Sequence, residues 1–244
     1  MSDAALAAMW MSLQLATLTM LIATPLSITL AWWMARVNWR GKVLLDAFIL
    51  LPLGLPPAVI GFWLMTGLGE QGALGRWLRQ DLGLSVALYP TGAVLAACIM
   101  TVPLMARMLR PVFEAHDPML LPVARTLGAN TWYAWRTVAL PLTLPAIGSA
   151  MALGFAAAWG ESGAVLVLAS GQAGGIGRAE DPTVPLALWQ ALASPSRPQA
   201  LAWEVAAWSL GVAAIAILLS ELLRWQWQNR WQGSARMNWR TERT

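Results

Sequence analysis

Few residues in this chain have the type and spacing to carry chemistry. Lys42 is the only lysine, and no G-x4-G-K-[ST] run surrounds it. The chain therefore lacks the backbone cradle and lysine with which a phosphate loop hydrolyses ATP. His116 and Cys98 are the sole histidine and cysteine and are not neighbours in sequence, so no metal-ligand spacing arises and no metal or other cofactor is expected. His116 beside Asp117 reads as a solvated loop residue. Cys98 has no second cysteine to pair with, so redox chemistry is not implied. No G-x-S-x-G elbow occurs, and Glu161-Ser162 has no histidine close by in sequence. The expectation is a chain that is not an enzyme.

Glu161 stands apart. It lies in an uncharged stretch from Thr137 to Gly177, flanked by Gly160 and Gly163. A carboxylate at membrane depth costs roughly 2.5–3.5 kcal/mol on insertion scales unless it is paired, wet or protonated. Two readings stay open and are compatible: a polar residue at a translocation path or gate, or a carboxylate capping N–H groups freed around Gly163. Direct binding of an anion by Glu161 is disfavoured, because like charges repel strongly in low dielectric.

The elements that position these residues are set by hydropathy. With 58% hydrophobic and 11% charged residues, a soluble domain is excluded in favour of a membrane protein. Runs of about 20 apolar residues mark spans, and five are expected, near 10–34, 47–68, 91–109, 143–170 and 201–223. Met1-Ser-Asp-Ala has no basic leader, so the first run is expected to stay as an anchor. The second contains Leu51-Pro-Leu-Gly-Leu-Pro-Pro57, so a straight helix is not expected; such backbone survives at membrane depth only where protein or a wet cavity satisfies it. The fourth is interrupted at Trp159–Gly163. Around Arg76–Gln80 a short amphipathic helix is expected, and over Val184–Leu192 a short surface helix. Glu221 and Arg224 can pair at i, i+3. The Trp- and Arg-rich tail, 224–244, suits the headgroup layer rather than nucleic acid.

Five spans put the termini on opposite sides. With the C-terminus inside, the cytoplasmic segments hold Arg36, Arg40, Lys42, Arg107, Arg110, Arg125, Arg136, Arg224, Arg230, Arg236, Arg240 and Arg243. The outer ones hold Arg76, Arg79, Arg178 and Arg197. This excess of cations places the N-terminus outside and the loop 110–141 in the cytoplasm. No internal repeat is visible, which argues against secondary transporters built from inverted repeats.

Within that loop, Met119–Pro145 reads as helix, hinge, helix, kink. Pro122 can sit at a first helical position, Gly128 can stop the helix, and Asn130 or Thr131 can cap the next. Leu140-Pro141 and Pro145 are expected to break the helical pattern. Ala124-x3-Gly128-x9-Val138-x-Leu140-Pro141 resembles the EAA loop of bacterial ABC-importer permeases, E-A-A-x3-G-x9-I-x-L-P. Pro122 and Val123 stand where that motif has Glu and Ala, and Val138 where it has Ile.

Further stretches are Gly41–Asp46, Leu51–Pro57, Gly92–Ala97, Pro103–Arg107, Ala124–Leu144 and Gly160-Glu-x-Gly163. In this order they resemble the molybdate ABC-transporter permeases, a group that includes the tungstate and sulfate permeases. The resemblance implies an all-α, polytopic bundle of five transmembrane helices, some broken, with a cytoplasmic coupling helix, all in one domain over 1–244. It implies a homodimer in the inner membrane, two copies of a separate ATPase subunit and a periplasmic oxyanion-binding protein. Ala124, Arg125, Thr126, Leu127, Gly128 and Ala129 would then dock the ATPase, and Glu161 would fall in the gate region. Rival classes are a secondary transporter, and an intramembrane enzyme using Glu161, which would need a second reactive group in the spans.

Overall fold

The computed structural model describes residues 2–37, 40–69, 72–82, 90–115, 120–134, 136–137, 140–171, 182–193 and 199–241. His116 lies outside them. Helix α1 runs Asp3–Arg36, longer at both ends than the expected span, and starts where the Ser2 hydroxyl accepts from the Ala5 N–H. Pro25 is accommodated inside it. Beside Leu15, Met20 and Met34, its buried stripe is rich in small and hydroxyl residues (Ala16, Ala23, Ala31, Ser12, Ser27), which let neighbouring backbones approach closely.

The second apolar run breaks as its prolines require. Helix α2 (Lys42–Gly54) and α3 (Pro57–Leu68) meet at 98°. Leu55, forced extended by the following proline, and Pro56, which offers no N–H, form the corner. Pro57 then opens α3, where a missing N–H leaves no bond unmade. The amphipathic α4 (Ala73–Leu82) follows, then α5 (Thr91–Glu114), which continues past Pro103 and beyond the expected end of its span.

Two expectations need correction. Helix α8 (Leu140–Trp159) starts at Leu140 and runs through Pro141 and Pro145, which therefore do not break it. Pro141 falls in the first turn, where N–H groups are orphaned anyway, and Pro145 removes a single ladder bond. Helix α10 (Val184–Ala193) is not a surface helix: Val184, Leu186, Ala187, Gln190 and Ala191 are buried, and it packs on α1 and on α11 (Gln199–Thr241). The Val184 N–H donates to the Ser12 hydroxyl at 2.8 Å. The interruption at Gly160–Ser162 is present, and α9 (Gly163–Ser170) resumes after it.

Hydrogen bonds between helices give the relative directions. Ser27 of α1 donates to the Val102 carbonyl of α5, and the Cys98 thiol reaches the Thr19 carbonyl, so α1 and α5 are parallel. Ser149 meets Ser220 at 3.0 Å and Trp159 Nε1 donates to Ser209 at 2.9 Å, so α8 and α11 are antiparallel. The Ser2 hydroxyl donates to Glu204 Oε2 at 2.8 Å, joining the N-cap of α1 to the N-terminal part of α11. The start of α2 lies beside the end of α5 through Asp46 and Arg110. The directions alternate as five crossings require. Among the described residues four helices are long and apolar enough to span, or five if the bent α2–α3 pair is one span.

Candidate functional site

Two places in this bundle carry the residues singled out from the sequence. The first is the turn between α5 and α8. Helix α6 occupies Leu120–Thr126, so it starts two residues ahead of Pro122, which falls within its first turn. It ends on Gly128, whose φ of 91° is the left-handed conformation that side chains disfavour. The Ala129 N–H donates to the Ala124 carbonyl at 3.1 Å and the Gly128 N–H to the Arg125 carbonyl at 3.0 Å. These are the paired bonds of a Schellman termination, which satisfies carbonyls left open at the helix end. Asn130 Oδ1 then accepts from the Tyr133 N–H at 2.7 Å and caps α7 (Thr131–Ala134), so of the two expected caps Asn130 is the one seen.

Ala124–Ala129 thus form one compact knob, packed chiefly against α7. Leu127 is 84% exposed, and Val123, Trp132 and Tyr133 are also exposed. Sequence reasoning missed these last three. The available signal was large apolar side chains in a segment outside the spans. Together they form an exposed apolar surface on the segment between α5 and α8.

The second place is where the two breaks meet. An added Cβ on Gly163 would lie 2.9 Å from Pro57 Cβ, one on Gly61 2.8 Å from Ala164 Cα, and one on Gly171 2.7 Å from Met65 Sδ. Helices α3 and α9 are therefore parallel, in close contact, and begin at the same level. Ser162, the residue at the N-cap, makes no side-chain cap bond; Glu161 Oε1 instead accepts from the Ala164 N–H at 3.2 Å. The capping reading of Glu161 is thus visible in the geometry. The half-buried carboxylate sits at the start of α9, where the positive helix end offsets part of the cost of burying its charge.

The hydroxyls of Thr17, Thr24, Ser27 and Thr66, polar groups within the apolar helices, differ in their surroundings. Ser27 is buried and bonded to the Ala23 carbonyl at 2.6 Å, and Thr66 is bonded to the Phe62 carbonyl at 2.8 Å. Thr17 is exposed, and Thr24 Oγ1 has no partner among the described residues. An open groove of about 530 Å³ between α1, α2 and α5 has mostly apolar walls, including Leu26, Phe48, Ile49 and Ile99. It suits hydrocarbon rather than a dianion. Among the described residues no group of three His, Cys, Asp or Glu side chains could hold a metal.

Comparison with known proteins follows the same lines. The family described as binding-protein-dependent transport system inner membrane component matches residues 27–225. The molybdenum transport system permease protein ModB of Haemophilus influenzae is 38% identical over 220 residues, 90% of this chain and 93% of that one. A probable sulfate transport system permease protein cysT of Chlorokybus atmophyticus is 40% identical over 144 residues, 59% of this chain and 50% of that one. In fold, the chain is similar to a bacterial alginate ABC transporter solved with an alginate pentasaccharide-bound periplasmic protein. The TM-score is 0.61 at 14% identity, covering 91% of this chain and 78% of that one.

Proposed function

The chain belongs to the binding-protein-dependent transport system inner membrane component family, and from that premise we propose that it is the membrane-spanning, non-catalytic subunit of an ATP-driven importer that moves molybdate from periplasm to cytoplasm. The observation that carries the substrate is the 38% identity to the Haemophilus influenzae molybdenum permease over 90% of the chain. Two copies form the pore, two separate ATPase subunits bind on the cytoplasmic side, and a periplasmic binding protein delivers the oxyanion. The N-terminus lies in the periplasm and the C-terminus in the cytoplasm, in keeping with the distribution of Lys and Arg.

In this reading Ala124–Ala129 dock the ATPase. Closure of the ATPase pair on ATP draws the two α6 knobs together and favours the outward-open pore, a population shift whose size is set by differential binding to the two states. Glu161 contributes by holding the start of α9 at the level where α3 also begins, so the paired breaks act as one gate. The partial match to a sulfate permease favours sulfate as the second candidate substrate.

Reconstitution tests both levels. The chain is purified with the ATPase and binding protein encoded beside it, placed in liposomes, and assayed for ATP-dependent uptake of molybdate in competition with tungstate and sulfate. Failure of any ATPase subunit to co-purify rejects the importer reading. Uptake that sulfate suppresses as well as molybdate rejects the substrate.

A further inference from the structure

Four charges from two helices meet at the end of the bundle from which α6 emerges. Arg110 Nη1 lies 2.5 Å from Asp46 Oδ2, and Arg110 Nε donates to Glu114 Oε1 at 2.7 Å. Lys42 Nζ is 4.0 Å from the same Glu114 oxygen. Lys42 and Asp46 belong to the first turns of α2, Arg110 and Glu114 to the last turns of α5. The Asp46 and Arg110 side chains are only 20% and 25% exposed, so water screens this contact less than an open surface pair. A planar guanidinium that reaches two carboxylates fixes orientation as well as distance, which a lysine cannot do.

Packing makes this contact disproportionately important for α2. The helix has no buried residue of its own and packs chiefly on α5. Val43, Leu44 and Phe48 are more than 70% exposed. With so little apolar interlock, the charges are what registers α2 against its neighbour. Beyond its 98° corner, α2 continues into α3, which rests on α9 at the break capped by Glu161. In the other direction, α6 is the next helix after α5 along the chain.

We propose that Asp46 and Arg110 are positioning residues that clamp the start of α2 to the last turns of α5, so that displacement of α6 is passed to α2 and, through the corner at Leu55-Pro56, to α3 and the break at Glu161. The inference rests on α6 being the ATPase-docking segment. Packed helices joined by a two-carboxylate fork transmit displacement because such contacts have discrete rather than continuously deformable arrangements. Without the fork, α6 and α5 move while α2 slips, and ATP hydrolysis no longer answers to the loaded binding protein.

The test uses the chain reconstituted with its ATPase and binding protein, and reads the ratio of ATP hydrolysis with and without loaded binding protein. Asp46→Asn is expected to lower this stimulation about tenfold, Asp46→Glu to retain it, and Arg110→Lys to fall between. A role confined to local folding would lower the melting temperature of Asp46→Asn and leave the ratio unchanged. Stimulation of Asp46→Asn within about twofold of wild type overturns the proposal. Should that variant fail to accumulate in membranes, Arg110→Lys decides, and a wild-type ratio in it is equally fatal. Absence of stimulation in the wild-type assembly would instead reject the docking role of α6.

Discussion

Replacing Gly128 gives a graded test of the α6 knob. Its φ is 91°, and a Cβ added there would meet no atom within 4 Å, so the penalty for Gly128→Ala is conformational and not steric. Holding an L-residue in the left-handed region costs roughly 1–2 kcal/mol. That corresponds to about a 5–30-fold loss in the population of the docking-competent turn, and an equal loss in affinity for the ATPase subunit. Gly128→Asn should lose less, because asparagine tolerates this region. Gly128→Pro should lose most: its ring fixes φ near −65° and deletes the N–H that donates to the Arg125 carbonyl. The assay is equilibrium binding of the ATPase to the dimer in lipid nanodiscs, with transport-coupled hydrolysis measured alongside. Because α6 packs chiefly on α7, the melting temperature of the bundle should stay constant across the series. Wild-type affinity in Gly128→Ala, or normal coupling in Gly128→Pro, would refute the assignment of the docking surface to this turn.

The remaining predictions concern the breaks and the orientation. Glu161→Gln keeps an oxygen for the Ala164 N–H and should transport normally if the residue only caps α9, whereas a lost transport rate in Gln as well as Ala would show that the charge itself gates. Glu161→Ala should also cost about 1 kcal/mol of stability, read as a lower melting temperature in detergent. Gly61→Ala forces a methyl to 2.8 Å from the Ala164 Cα, backbone that cannot swing aside, and should destabilise by about 1–3 kcal/mol. Gly67→Ala on the same helix meets no atom within 4 Å and serves as the control. Finally, Leu74→Cys and Leu127→Cys are exposed sites on α4 and just beyond α6, at opposite ends of the bundle, while Cys98 is buried. An impermeant thiol reagent should label the first from outside intact cells and the second only in inverted vesicles; the reverse pattern would invert the topology.

The breaks were legible because proline and glycine act locally. Pro56 and Pro57 remove hydrogen bonds wherever the chain goes, and Gly128 marks a helix end through its own backbone. Charge asymmetry likewise follows from composition of short loops. What stayed hidden depends on distant partners. Pro141 and Pro145 look like breakers in isolation, yet α8 runs through both, and its place in the bundle is set by contacts with α1, α5 and α11. Val184–Leu192 has the length and flanks of a surface helix, and its burial follows from contacts with α1 and α11 made far away in sequence. The Asp46–Arg110 contact joins residues 64 apart, and hydropathy, which treats each charge only as a span boundary, is blind to it.

The bond between Ser2 and Glu204 spans 202 positions of sequence. Ribosomes add about 5–20 residues per second, so roughly 10–40 s separate the emergence of its two halves. During that interval α1 sits in the bilayer with the Ser12 hydroxyl, which later accepts from Val184, still without this partner. The contact of the last helix with the first is therefore among the last that the growing chain can make, well after α1 can meet α5.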